Sequence, residues 1–416
     1  MKQIFLIIFC IFSILFTTNS SFSQDYPYEI YKYPFVKYDT SRIEFYGDTA
    51  NFVHFYQKLD NLILAGEGQI NIIHIGGSHI QPDILTGRMR ERFQSFYPGI
   101  RGGRGFLFPY KIANTNNPRN FSVDYSDTWE SCRNVELNKT DILGLSGIAV
   151  STTDTSAYIT IGLNRDNYYD YQFHKIKIFH NTDGSNFSVL LGTEKIQPVF
   201  VNEKLGYSLF ILKESQDTLH LTFRKENEMQ TRFELFGISL EADDAGVYYH
   251  NIGVNGASIP SYLRCQKFVE HMTALQPDLV ILSLGTNDAY TSNFLPEVYH
   301  SNYDTLLNKI HSAAPQAAIL MTVANDSYLF RRKANPNTTL CAEEIKKLSK
   351  EHNAAMWNFY EVMGGLNSVV LWNEAGLAAD DRIHFTGAGY LHQADLLFNA
   401  LMKSYDIYLE NKRKTN

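Results

Sequence analysis

The chain alternates between two rhythms of apolar and polar positions. Early on, "NIIHI" at residues 71–75 reads as a buried strand that stops on Gly76-Gly77-Ser78-His79. Before it, "TANFVHFYQKLDNLILAGEG" spaces its apolar residues as a helix does and ends in glycine. After it, "QPDILTGRMRERFQSFYPG" reads as an amphipathic helix with Arg88, Arg90 and Arg92 on its solvated side. From 106 to 245 the period changes to two. Short runs such as "AYITIGL", "HKIKIFHN" and "TLHLTFRK" are separated by turn formers, for instance Asn181-Thr-Asp-Gly184. This pattern predicts an antiparallel β-sandwich.

After 245 the strand–helix rhythm returns. "VYYHNIGVNGAS" and "PDLVILSLGTNDAY" read as strands ending in polar turns, "YLRCQKFVEHMTAL" as a helix, "AAILMTVAN" as a strand, and "HFTGAGYLHQADLL" as the start of a closing helix. The expected organisation is one parallel α/β domain, formed by residues 24–105 and 246–416, with a β-sandwich inserted at 106–245.

Residues 1–23 have a different character. Lys2 is followed by an apolar run from Ile4 to Phe16, then by small residues at Ser21 and Ser23. This fits a signal peptide, and so an exported protein, periplasmic or secreted. The run is shorter than the roughly 20 apolar residues of a membrane span. No second such run follows, so no stable span is expected in the mature chain. Cleavage removes Lys2 and no acid, taking the formal charge from −7 to −8. That balance argues against nucleic acid as a partner. Cys132, Cys265 and Cys341 remain, enough for one disulfide or for three buried thiols. The 26 Tyr and 28 Phe are read first as core residues, with a carbohydrate-binding face as the alternative. Oligomeric state is left open.

In a parallel sheet, reactive groups collect beyond the carboxyl ends of the strands. Four polar clusters stand there in order: Gly76-Gly77-Ser78-His79, Gly253-Val254-Asn255-Gly256, Gly285-Thr286-Asn287-Asp288 and Asp381-Arg382-Ile383-His384. Singly, each fits a cap or a turn. Together they compose a hydrolase site. Ser78 is the candidate nucleophile and His384 the base that activates it. Asp381, three residues earlier, orients the imidazole. The Ser78 and Gly256 backbone N–H groups and the Asn287 side-chain amide are the candidate oxyanion donors. His74, His79 and His250 receive no role. No His-Glu-x-x-His and no clustered Cys/His ligands occur, so neither a cofactor nor a metal is expected.

This set resembles the SGNH, or GDSL-like, hydrolase family, whose four blocks correspond to "IGGSH", "GVNGAS", "LGTND" and "DRIH". The resemblance implies a flavodoxin-like three-layer α/β/α sandwich and an esterase activity. An inserted β-domain between the first two blocks of an exported chain further resembles the peptidoglycan O-acetylesterases. The implied function is removal of O-acetyl groups from a carbohydrate, peptidoglycan first, through an acetyl-enzyme on Ser78. Acetyl transfer to a sugar hydroxyl, or glycan binding by a vestigial site, are the alternatives. One position departs from the family: Gly77 stands where its members carry an aspartate.

Overall fold

The computed structural model describes residues 29–163 and 169–415. The proposed signal peptide lies outside them. Six strands form the main sheet: β1 (Glu44–Phe45), β2 (Gln69–Gly76), β3 (Gly246–Gly253), β4 (Leu279–Ser283), β5 (Ala318–Thr322) and β6 (Ala355–Trp357). Their spatial order is β1-β6-β5-β4-β2-β3. Strands β2 to β6 run parallel, and β1 closes the edge antiparallel to β6. Numbered by the parallel strands alone the order is 2-1-3-4-5, the flavodoxin-like arrangement. Its switch point lies where β2 meets β4.

Period-two side-chain alternation explains the layering. On one face Ile70 and Ile72 of β2 pack with Leu279 and Ile281 of β4. Helices α1 (Ala50–Ala65), α2 (Ile84–Ser95) and a long C-terminal helix, Gly387–Thr415, cover this face. On the other, Ile73 and Ile75 pack with Val280 and Leu282. There the cover includes α3 (Ile259–Leu263), α4 (Phe268–Leu275), α5 (Pro296–Ala313) and α6 (Asn337–Glu351). A one-residue slip of β2 would exchange the two sets, so burial on both faces holds its register. None of the helices among the described residues is long and apolar enough to cross a membrane.

His74 interrupts the apolar run of β2, and it is fully satisfied. Its ring nitrogens lie 2.8 Å from Tyr249 Oη and 2.7 Å from Ser283 Oγ. Burial pushes its pKa down to about 3, so the ring is neutral.

Between β2 and β3 the chain builds two antiparallel sheets. One orders six strands within Glu130–Glu241, with Gly105–Leu107 paired alongside. The other has four strands, from Phe121–Tyr125 to Thr218–Arg224. Their apolar residues join the Ile73–Ile75 face in one continuous cluster. Phe179 and Phe236 pack their rings on His271 of α4 at 4.9 and 5.6 Å. The sandwich is therefore seated on the helical layer.

Two expectations are corrected. Arg90 is not solvated: it is buried, with nitrogens 3.0 and 3.2 Å from the Asp83 carboxylate, which Arg104 also meets at 2.8 Å. Arg88 and Arg92 both donate to Asp395 of the C-terminal helix, so they too are tied down. The stretch "YLRCQKFVEHMTAL" is two helices, because Arg264 turns to donate to the carbonyls of Asn134, Glu136 and Lys139. The three thiols are free and buried.

Candidate active site

Strand β2 ends on a tight turn in which Ile80 and Gln81 both donate their N–H groups to the Gly77 carbonyl, at 3.0 and 3.1 Å. The glycines are needed for space. A Cβ on Gly76 would stand 2.8 Å from the Ser283 carbonyl, and one on Gly77 only 3.2 Å from both the Ala257 carbonyl and Asn287 Nδ2. The turn leaves Ser78 at the tip of β2, at the switch point of the sheet.

The fourth block reaches the same point from the loop before the C-terminal helix. Ser78 Oγ lies 2.8 Å from His384 Nε2, and His384 Nδ1 lies 2.7 Å from Asp381 Oδ2. Asp381 Oδ1 accepts the backbone N–H groups of Ile383 and His384 at 2.9 and 3.0 Å, which fixes the carboxylate against its own loop. Burial would raise the Asp381 pKa, but the hydrogen bonds from His384 outweigh it and hold the carboxyl below its ordinary value. An ionised Asp381 makes Nδ1 the protonated ring nitrogen and leaves Nε2 as the acceptor facing Ser78 Oγ.

The second and third blocks form the facing wall. Gly256 has φ +82°, a left-handed conformation suited to glycine. Its turn is clamped from the neighbouring Asn255, whose N–H donates to Gln81 Oε1 at 2.7 Å and whose side chain donates to Asn116 Oδ1 at 2.8 Å. Asn287 uses one N–H on the Ala257 carbonyl at 2.9 Å, leaving a second for a ligand. Asp288 accepts the Ile259 N–H at 3.0 Å, tying this loop to α3, and burial raises its pKa to about 6. Neither the Ser78 nor the Gly256 N–H donates to a protein acceptor among the described residues. The structure thus gathers Ser78, His384 and Asp381 in one hydrogen-bonded chain, with Asn287 against Gly77 and Gly256 in the adjoining turn.

One residue left without a role by the sequence stands in this centre. The His79 ring stacks on His384 with centroids 5.1 Å apart, and its Nδ1 lies 3.2 Å from Tyr390 Oη. Burial lowers its pKa to about 3, so it backs the His384 ring as a neutral wall. Its place beside Ser78 was the only sequence signal, and a tight turn gives no direction to such a side chain.

Comparison with known proteins fits this geometry. Residues 235–391 match the model of the GDSL-like lipase/acylhydrolase family. Over these residues the chain is similar to the GDSL-like hydrolases, enzymes of ester bonds. The matched stretch contains Gly256, Asn287, Asp381 and His384 but not Ser78, which the inserted sheets separate from the rest. Among solved structures, a peptidoglycan O-acetylesterase superposes with a TM-score of 0.73 at 21% identity, covering 88% of this chain and 99% of that one. The chain thus shares its fold with that protein. A lipase/acylhydrolase from Enterococcus faecalis, 19% identical, covers 39% of this chain and 77% of its own at a TM-score of 0.31. A family two carbohydrate esterase from Cellvibrio japonicus, 10% identical, covers 70% of this chain and 99% of its own at 0.28. No curated protein matches this chain in sequence.

Proposed function

We propose that this protein is an exported carbohydrate O-acetylesterase, with peptidoglycan as its first substrate class. The observation that carries the proposal is the unbroken Ser78–His384–Asp381 hydrogen-bond chain at the sheet's switch point, at 2.8 and 2.7 Å. The likeness to a peptidoglycan O-acetylesterase over almost the whole chain supports the substrate class, and the signal-peptide pattern supports export.

Ser78 Oγ attacks the acetyl carbonyl while its proton passes to His384 Nε2. The oxyanion is held by the Ser78 and Gly256 N–H groups and the free Asn287 N–H. The bond between the acetyl carbon and the sugar oxygen breaks, and His384 gives its proton to that departing oxygen, which leaves as a hydroxyl. Water then attacks the acetyl-enzyme, giving its proton to His384, and acetate leaves as Ser78 is regenerated. A sugar hydroxyl in place of that water would make the same enzyme an acetyltransferase. The test is acetate release by the mature protein from O-acetylated peptidoglycan, acetylated xylan and an aryl acetate. Peptidoglycan turnover with free acetate as product is expected. Aryl acetate hydrolysis with neither glycan deacetylated would overturn the carbohydrate assignment.

Gly77 gives a second prediction. A methyl group there must displace the Ala257 carbonyl or the Asn287 amide by a few tenths of an ångström. Gly77→Ala should lower kcat about tenfold by moving an oxyanion donor, with KM and Tm nearly unchanged. Steady-state kinetics and a thermal melt check this. A fall in Tm with kcat intact would make the glycine purely structural.

A further inference from the structure

Between β5 and α6 the chain forms a two-stranded hairpin outside the Ser78–His384–Asp381 chain and the oxyanion wall. It pairs Tyr328 with Ala334 and Leu329 with Lys333, and the Arg332 N–H closes the turn on the Leu329 carbonyl at 3.1 Å. The two central residues, Phe330 and Arg331, have φ of +53° and +58°. Two successive positive φ values define a type I′ turn, which Asn-Gly fills without strain. A phenylalanine and an arginine are strained there. Strain that persists at a tip points to what the tip displays.

The feet of the hairpin are tied to both loops of the site. The Tyr328 N–H donates to the Arg382 carbonyl at 2.9 Å, one residue beyond Asp381, and the Arg382 guanidinium lies 4.8 Å from the Tyr328 ring centroid. Asn335 Nδ2 donates to the Ala289 carbonyl at 3.0 Å, two residues beyond Asn287. The Phe330 ring then meets Tyr290 edge-on at 5.3 Å. Asn287 and Thr291, on either side of Tyr290 in the chain, line a cleft of about 260 Å³ together with Ser258, Asn293 and Phe294.

Phe330, at 49% exposure, and the following Arg331, Arg332 and Lys333 all face solvent. None of these three cations is held in an ion pair among the described residues. They form a basic rim on a chain of formal charge −7. An exposed ring offers a flat apolar face to a sugar. Guanidinium groups beside it offer paired donors to a carboxylate.

We propose that the Tyr328–Ala334 hairpin is a substrate subsite for a carboxylate-bearing glycan. Phe330 and Tyr290 carry a sugar ring, and Arg331 and Arg332 grip carboxylates, whether those of lactyl and peptide substituents or those of uronate sugars. The proposal rests on the carbohydrate reading of the site and makes the preferred glycan an anionic one.

Binding separates it from that reading, because it needs no turnover. The probes are a soluble muropeptide without acetyl groups, an oligogalacturonate and a neutral chitooligosaccharide, titrated calorimetrically into the whole mature protein. Binding of either anionic probe at least about tenfold tighter than the neutral one is expected, and which one binds identifies the carboxylate source. The double variant Phe330→Asn with Arg331→Gly relaxes the turn, so it should hold or raise Tm while weakening that binding about tenfold. Equal binding of all three probes, binding of none, or anionic binding unaltered in the double variant overturns the subsite. Failure to release acetate from any glycan, with anionic binding intact, overturns the esterase reading instead.

Discussion

Ser78→Ala should abolish acetate release, lowering kcat by about a thousandfold or more, while the protein stays folded. The two halves of this result have separate physical causes. Ser78 Oγ is the atom that forms the covalent bond in the proposed reaction, and alanine offers no substitute. Its one described side-chain partner is His384 Nε2, at 2.8 Å. Losing a hydrogen bond of a partly buried serine costs on the order of 1 kcal/mol, which is small beside the continuous cores on both faces of the sheet. Acetate release with a small chromogenic acetate and a thermal melt together read both halves. An unchanged rate would move the nucleophile elsewhere.

Asp381→Asn should be nearly as severe, with kcat falling about a thousandfold. Asparagine keeps the size and can still accept the Ile383 and His384 N–H groups, as Asp381 Oδ1 does now at 2.9 and 3.0 Å. It cannot do the same at both positions. If its oxygen holds the loop, its NH₂ faces His384 Nδ1, a donor that drives the ring proton to Nε2. His384 then presents a proton to Ser78 where it must accept one. KM should hardly move, because the carboxylate touches the imidazole and not the substrate. The depressed pKa of Asp381 also has a sign. The stabilisation from its pairing is present above the ordinary aspartate range and is lost only as pH falls through the lower, folded value. Mildly acidic buffer should therefore leave the Asp381–His384 link in place. A variant with kcat within a few fold of wild type would remove Asp381 from the account.

The parts of the molecule visible in the sequence are those set by local pattern. The apolar runs of β2, β4 and β5 needed only their neighbours in the chain to read as buried strands, and four polar clusters after strands pointed to one end of the sheet. What escaped the sequence depends on distant partners. Arg90 looked solvated on an amphipathic helix. It is buried because Asp83, Arg104 and the Tyr249 carbonyl, from three separate segments, converge on one place. The break at Arg264 depends on carbonyls of the inserted region, more than a hundred residues away. The Phe330–Arg331 turn was invisible for the opposite reason: it lacks the Asn-Gly signature by which such turns are read. The absence of an aspartate at 77 has a steric counterpart, since a side chain there would press on Asn287.

The most direct test of the account is to stop the reaction during turnover of an acetyl ester and weigh the protein. The enzyme should carry one added acetyl group, located by peptide mapping on Ser78, and His384→Ala should show little of it because its serine is no longer activated. Turnover with no covalent species, or an acetyl group on a residue other than Ser78, would contradict the central claim.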